Sequence, residues 1–309
     1  MQQTHFYSNG KLLLSGEYLV LHGAKALALP LKLGQDLIVE QHSDSESDLI
    51  HWKGYEDNML WFEAQISRTN LSIQKSSDLL IASKLADILK KTKKLNPSFL
   101  TSKQKFSIQT NLEFKREWGF GSSATLINNI AKWAEVDPYQ LLNLSFGGSG
   151  YDIACADAEQ PIFYTNTDEG CIVEDANFQP NFKKHLFFVY LGRKQNSSES
   201  IRQFNKLRPI SAKLVQEISA LSKQMTNAKT LEEFNYVIRG HEEIMSSLMK
   251  TPSVKNHNFP DFEGEVKSLG AWGGDFILAT SQHNLSEVKE YFSERKLEVV
   301  FNYDDIVKI

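Results

Sequence analysis

Cysteine, proline and long apolar runs are all scarce in this chain. Its 309 residues include two cysteines and eight prolines. Cys155 and Cys171 match no zinc-ligand spacing, and two thiols cannot build the disulfide framework of a small secreted domain. Both read as reduced, buried thiols. No charge sign dominates: 34 basic residues against 38 acidic ones give a formal charge of −4. Backbone-directed nucleic-acid binding needs a basic footprint, so no nucleic-acid partner is expected. The most apolar stretch, Leu12 to Leu33, is interrupted by Glu17, His22, Lys25 and Lys32. A membrane-spanning helix needs about 20 mostly apolar residues, so no membrane partner is expected. Met1 to Gly10 shows no basic segment followed by an apolar run, hence no signal peptide. The expectation from these absences is a cytoplasmic protein. What remains is ordinary globular composition, 41% hydrophobic and 23% charged. The chain is long enough for about two domains, each with its own core.

Apolar runs separated by glycine from Gly10 to Leu21 predict strands, and Leu31 to Gln41 predicts another. Ser43 to Asp48 is polar and acidic, a loop or hairpin tip. Trp52 to Ile66 alternates weakly. Leu80, Ile81, Leu85, Ile88 and Leu89 are near helical spacing, and the lysines at 90, 91, 93 and 94 suit that helix's C-terminus. Lys105 to Phe114 alternates as a strand, and a helix is expected from the serines at 122–123 to Ala134. Asp137-Pro138 opens another helix. Ile153 to Ala158 fits helix or strand. His185 to Leu191 reads as a strand, Ile210 to Met225 and Leu231 to Met249 as long helices, and Gly270 to Thr280 as a loop entering a strand. A helix over Ser286 to Arg295 and a strand over Leu297 to Asn302 close the chain. The softest boundary lies between Thr165 and Lys184.

Gly119-Phe120-Gly121-Ser122-Ser123 stands between a strand pattern and a helix pattern. Glycine lets backbone approach a phosphate, and a helix start offers unpaired N–H groups with a positive dipole end. The same residues also suit a plain helix N-cap. Neither a Walker loop nor a Rossmann fingerprint is present. Three further segments accompany this one in order: Gly10-Lys11 through Gly16-Glu17-Tyr18, Ser149-Gly150-Tyr151-Asp152, and Gly270-Ala271-Trp272-Gly273-Gly274-Asp275.

Together these segments resemble the GHMP kinases, the superfamily of galactokinase, homoserine kinase, mevalonate kinase and phosphomevalonate kinase. The resemblance covers nearly the whole chain. Gly-Glu-Tyr and Gly-Gly-Asp look most like the phosphomevalonate kinase branch, and Gly150 to Ala154 resembles a bacterial group associated with the mevalonate pathway. The resemblance implies an α+β fold: a ribosomal-protein-S5-like domain over residues 1–180 and a ferredoxin-like domain over 181–309, with the active site in the cleft between. It implies ATP and Mg²⁺ as cofactors, with Gly119, Gly121, Ser122, Ser123 and Ala124 around the nucleotide phosphates and Ser123 near the metal. Lys11 and Asp152 carry over as the catalytic pair that meets the acceptor. Glu17, Tyr18, Ser149, Gly150, Gly273, Gly274 and Asp275 carry over to the substrate side. The implied activity is phosphoryl transfer from ATP to mevalonate or phosphomevalonate, by a monomer or homodimer. The partners are then ATP and a small hydroxyl- or phosphate-bearing metabolite. Without the resemblance, Lys11 reads as an exposed lysine at a strand start and Asp152 as a helix N-cap.

Several positions depart from the family pattern. Lys115 stands where a proline is usual and Glu117 where a third glycine is frequent. Trp118 and Trp272 are bulky where small residues prevail, and Pro138 to Gly148 lacks the metal-binding glutamate of many mevalonate kinases. Those departures motivate an alternative: a non-catalytic nucleotide- or metabolite-binding regulatory protein that keeps the fold. Gly192 to Ser198 is polar and cationic at a helix start, suited to an anionic acceptor or simply to capping. His241-Glu242-Glu243 lacks the second histidine of a zinc-protease helix and reads as a helix face. The five tryptophans are dispersed and suggest no stacking platform.

Overall fold

A computed structural model describes residues 2–42, 48–102, 104–193, 197–206, 209–272 and 274–309, with the side chains of residues 197, 198 and 203 outside that description. The loop expected from residue 43 therefore lies almost wholly outside the described residues.

The first strands are long. Gln2–Ser15 forms β1 and Ala26–His42 forms β2, and the two pair. Leu49–Glu56 (β3) and Met59–Ser67 (β4) make an antiparallel hairpin, and Ile73–Ser76 (β5) adds to β4. Leu79–Leu95 is α1. Lys105–Leu112 is β6, parallel to β3 and antiparallel to β2. The crossover through α1 is what lets two neighbouring strands run parallel. Ser122–Ala134 (α2), Pro138–Ser145 (α3) and Tyr151–Ala156 (α4) follow.

Contacts gather the chain into two units built from interleaved segments. The first comprises Met1–Gly10, Leu33–Arg116 and Phe120–Asp157. Its strands run in the order β5-β4-β3-β6-β2. Side chains alternate across a strand, so Ile50 and Trp52 of β3 share a face with Phe106 and Ile108 of β6. That face packs on Leu85, Ile88 and Leu89 of α1 and on Ile127 and Ile130 of α2. Asp78 starts α1 by accepting the N–H groups of Leu80 and Ile81. Leu80, expected on the apolar face of this helix, is instead exposed in its first turn.

The second unit comprises Lys11–Lys32, Glu117–Gly119 and Ala158–Ile309. Ile162–Thr167 (β7) and Gly170–Asp175 (β8) form a hairpin, and β7 pairs with Ala26–Ala28 of β2. The soft boundary expected between Thr165 and Lys184 thus holds ordered secondary structure. Leu186–Tyr190 (β9), Ser197–Phe204 (α5), Ala212–Asn227 (α6), Leu231–Met249 (α7) and Val254–Asn258 (α8) come next. They are followed by Glu265–Ser268 (β10), Phe276–Thr280 (β11), Leu285–Ser293 (α9), Val300–Asn302 (β12) and Tyr303–Ile306 (α10). Four antiparallel strands run in the order β10-β11-β9-β12, the ferredoxin-like order of a split β-α-β arrangement. Phe187, Val189, Ile277, Phe292 and Val300 lie in the core on this sheet. Leu19–His22, expected within a strand, is a short 3-10 turn, because Gly16 and Tyr18 take positive φ angles of 92° and 57° and turn the chain. Cys155 is buried as expected. Cys171, on the exposed strand β8, is only half-buried.

Candidate functional site

In the first unit the chain approaches α2 through a fixed segment. The Arg116 guanidinium lies over the Trp61 ring, 3.8 Å from its centroid. Arg116 also donates through its backbone N–H and its Nε to Oε2 of Glu56, at 2.9 and 3.0 Å. Lys115 has its Nζ 3.7 Å from Glu56 Oε1. The bonds from Arg116 to Glu56 therefore fix the approach to α2. Burial raises the pKa of Glu56, but the bonds and charges of Arg116 and Lys115 outweigh it and hold the carboxyl below its ordinary value. Phe120 is fully buried and meets Phe114 edge-on.

Gly121 then caps α2 with φ 90° and no side-chain hydrogen bond. Glycine has no side chain with which to cap the first-turn N–H groups, which places Ser122, Ser123 and Ala124 at a helix start suited to an anion. Ser122 is half-buried, Ser123 is exposed and Ala124 is buried. The inner face of α2 is polar. Thr125 Oγ1 donates to Gln35 Oε1 at 2.7 Å, Asn129 donates to the Gln35 carbonyl at 2.8 Å, and Ser8 Oγ donates to Asn129 Oδ1 at 2.7 Å. These buried bonds fix how α2 stands on β1 and β2, and no sequence pattern announced them. Ser149 precedes Gly150, which caps α4 at φ 90°, and Asp152 stands half-buried in that helix's first turn.

The second unit holds Lys11, half-buried on β1, and the turn Gly16-Glu17-Tyr18. A Cβ on Gly16 would lie 2.7 Å from the Ala26 Cβ, so the turn closes only with glycine there. Tyr18 OH accepts the Trp272 backbone N–H at 2.7 Å, and its ring stacks on Phe204 of α5. Trp272 also donates through its indole Nε1 to Thr251 Oγ1 at 2.9 Å. The bulky ring thus fastens the glycine-rich segment rather than filling it. Trp118 packs within a group of aromatic rings from Phe301, Phe276 and Tyr190. Gly119 abuts Asp275 so closely that a Cβ would lie 1.9 Å from Oδ2. Gly274 is likewise pressed against the carbonyls of Ala271 and Leu269. Gly273 lies outside the described residues, as do residues 194–196 of the polar segment that precedes α5.

Glu17 is buried on Lys267 of β10 and on His241 of α7, whose Nε2 stands 3.1 Å from its Oε2. Burial raises its pKa, but Lys267 and then His241 outweigh burial and lower it. Glu242 lies 3.8 Å from Lys267. His241 and Glu242, expected on an ordinary helix face, are therefore interior. The only signal in the sequence was their place on the inward side of a 19-residue amphipathic helix.

No protein-family model matches the chain, and no curated protein does. Solved structures do match it along its whole length. The mevalonate kinase of Methanococcus jannaschii has a TM-score of 0.69 at 15% identity, over 100% of this chain and 99% of that one. The Streptococcus pneumoniae phosphomevalonate kinase, solved with phosphomevalonate and AMPPNP, has a TM-score of 0.69 at 18% identity, over 97% and 99%. Lactococcus lactis galactokinase, complexed with galactose, scores 0.68 at 10% identity, over 100% and 94%. The chain therefore has the α+β fold of these GHMP-type small-molecule kinases, as the order of its motifs implied. No helix among the described residues is long and apolar enough to cross a membrane.

Proposed function

We propose that the chain is an ATP-dependent small-molecule kinase that transfers the γ-phosphoryl group of ATP to mevalonate or phosphomevalonate. The observation that carries this reading is the start of α2. Gly121 leaves its first turn without a side-chain cap, on a chain whose whole length has the fold of ATP-using kinases. Phosphoryl transfer asks little covalent chemistry of a protein. It asks for positioning and charge neutralisation, which backbone N–H groups and two serine hydroxyls provide.

In this reading Gly119, Gly121, Ser122, Ser123 and Ala124 hold the nucleotide phosphates. Asp152 orients the acceptor and takes its proton when the acceptor is a hydroxyl, and Lys11 steadies the transferring group. For a phosphate acceptor no strong base is needed, and Asp152 then positions. Ser149, Gly150, Gly273, Gly274 and Asp275 line the acceptor side, in a protein with domains at 1–180 and 181–309. No cluster of three or more metal-binding side chains occurs among the described residues. The chain fits Mg²⁺ through the Ser123 hydroxyl, with phosphate oxygens and water completing the shell, a set that its octahedral habit accepts. Bound there, the ion would neutralise phosphate charge.

The Gly-Glu-Tyr and Gly-Gly-Asp segments favour phosphomevalonate as acceptor, and the Lys11–Asp152 pair favours a hydroxyl. The test is ADP release from Mg²⁺-ATP with mevalonate, phosphomevalonate, homoserine and galactose in turn. Turnover with a mevalonate-type acceptor that Asp152→Ala abolishes is the expected result. ATP binding without turnover on any of the four would overturn the reading in favour of a non-catalytic binding protein.

A further inference from the structure

We propose that Lys267 and His241 are positioning residues that set the Gly16-Glu17-Tyr18 turn and, through Tyr18, the glycine-rich segment after β10. The proposal rests on the kinase reading for what that segment does, and on geometry alone for how it is held.

Glu17, His241, Glu242 and Lys267 come from three separate stretches of the second unit, with side-chain exposures of 1%, 0%, 6% and 0%. Lys267 Nζ contacts Glu17 Oε1 and donates to the Ser268 carbonyl at 3.0 Å. With His241 at its other oxygen, the Glu17 carboxylate is enclosed by protein. Its part is to place the turn, replacing the direct substrate contact expected from the sequence.

Stability does not explain these four residues. Both oxygens of Glu242 and the Ser268 hydroxyl are buried with no hydrogen-bond partner among the described residues. A half-satisfied buried network is worse than an apolar core of the same volume. What the cluster does hold is a turn with little tolerance. Gly16 has Ala26 against its missing side chain, and Tyr18 sits in the left-handed region that non-glycine residues avoid.

Two ties then join the same pair of segments. Lys267 reaches Glu17 from β10. Leu269, two residues on, donates to the Phe276 carbonyl at 3.2 Å at the base of the glycine-rich segment. Tyr18, directly after Glu17, meets that segment again at the Trp272 N–H. Shifting Glu17 shifts Tyr18, and with it the backbone at Trp272.

The experiment uses the full chain. Lys267→Met alone strands a buried carboxylate, so the deciding variant is Glu17→Gln/Lys267→Met, which removes both charges together. Each protein is also made with Trp272→Phe, so that the emission of Trp272 is read as a difference. The double variant is expected to fold but to melt below the wild type, since Glu242 loses its contact with Lys267. Its Trp272 emission shifts to the red, and kcat for ADP release falls about tenfold or more with the KM for ATP changed far less, as for an interaction that matters in the transition state. His241→Gln keeps the Lys267–Glu17 pair, is expected to move both readouts in the same direction, and decides the matter if the double variant does not fold. A folded variant with unchanged emission and unchanged kinetics overturns the proposal. Wild-type protein without turnover on any acceptor removes the kinase reading and leaves the emission shift to decide this one.

Discussion

At Gly119 an added methyl group would stand 1.9 Å from Oδ2 of Asp275, on a backbone with φ 69°. Both facts oppose a side chain: the carboxylate must be displaced, and the left-handed conformation strains any L-residue. Gly119→Ala is expected to cost about 1–3 kcal/mol of stability, the range for such strain, and to weaken ATP binding. Urea unfolding and nucleotide titration measure the two, and a variant as stable as the wild type would show that Asp275 moves aside freely. Asp152 is half-buried in the first turn of α4. Its replacement by alanine is expected to lower turnover about 10²- to 10⁴-fold, the usual worth of a positioned proton acceptor. The melting temperature should barely move. Loss of activity accompanied by loss of fold would instead mark Asp152 as structural. These residues stand out in the sequence because each lies in or next to a glycine-punctuated motif. Glu56 and Trp61 do not, since their partner Arg116 is distant in sequence and nothing local marks either one.

Helix α1 shows how a local signal becomes an element. Its periodicity was readable from Leu85 to Leu89, and Asp78 satisfies two first-turn donors, at 2.9 and 3.1 Å. Asp78→Ala should cost about 1 kcal/mol, as for other helix caps, and leave kinetics unchanged. Equal urea midpoints for the two proteins would mean that solvent caps the helix as well as the carboxylate does. Other elements gave weaker signals. The β8 strand is exposed along most of its length, so Gly170–Asp175 shows no alternation of apolar and polar residues. The turn over Leu19–His22 looked like strand because its apolar residues are contiguous and its cause, a positive φ at Tyr18, is not visible in composition. The interior of α7 was misread for a further reason. His241 and Glu242 are polar, and polarity marks the outside of a helix unless a partner exists. Here the partners are Glu17 and Lys267, themselves 250 residues apart in sequence. Periodicity reports which side of a helix faces inward only when that side is apolar.

For the whole molecule, motif order was the stronger guide. Identities of 10–18% accompany full-length structural matches. What persists is therefore the fold, at an identity too low for most side chains to be shared. Two ion-paired carboxylates make a prediction at this same scale. Glu17 and Glu56 have pKa values lowered in the folded chain by their cationic neighbours, against the opposing effect of burial. A carboxyl whose folded value is depressed adds stability above its unfolded value, about 4.3 for glutamate, and loses it as pH falls towards the folded value. Below about pH 4.3 the unfolded chain binds protons that the folded chain does not, so acid draws the equilibrium towards unfolding. The melting temperature should thus hold near neutral pH and fall steeply below about pH 5. Glu56→Gln removes one such group without leaving a fully buried charge behind, since Arg116 keeps contact with solvent. Its melting temperature is expected to be lower than wild type at pH 7 and to converge on it as the pH approaches 3. Parallel acid limbs for the two proteins, with a constant difference between them, would show that the Glu56–Arg116 contact does not titrate with folding.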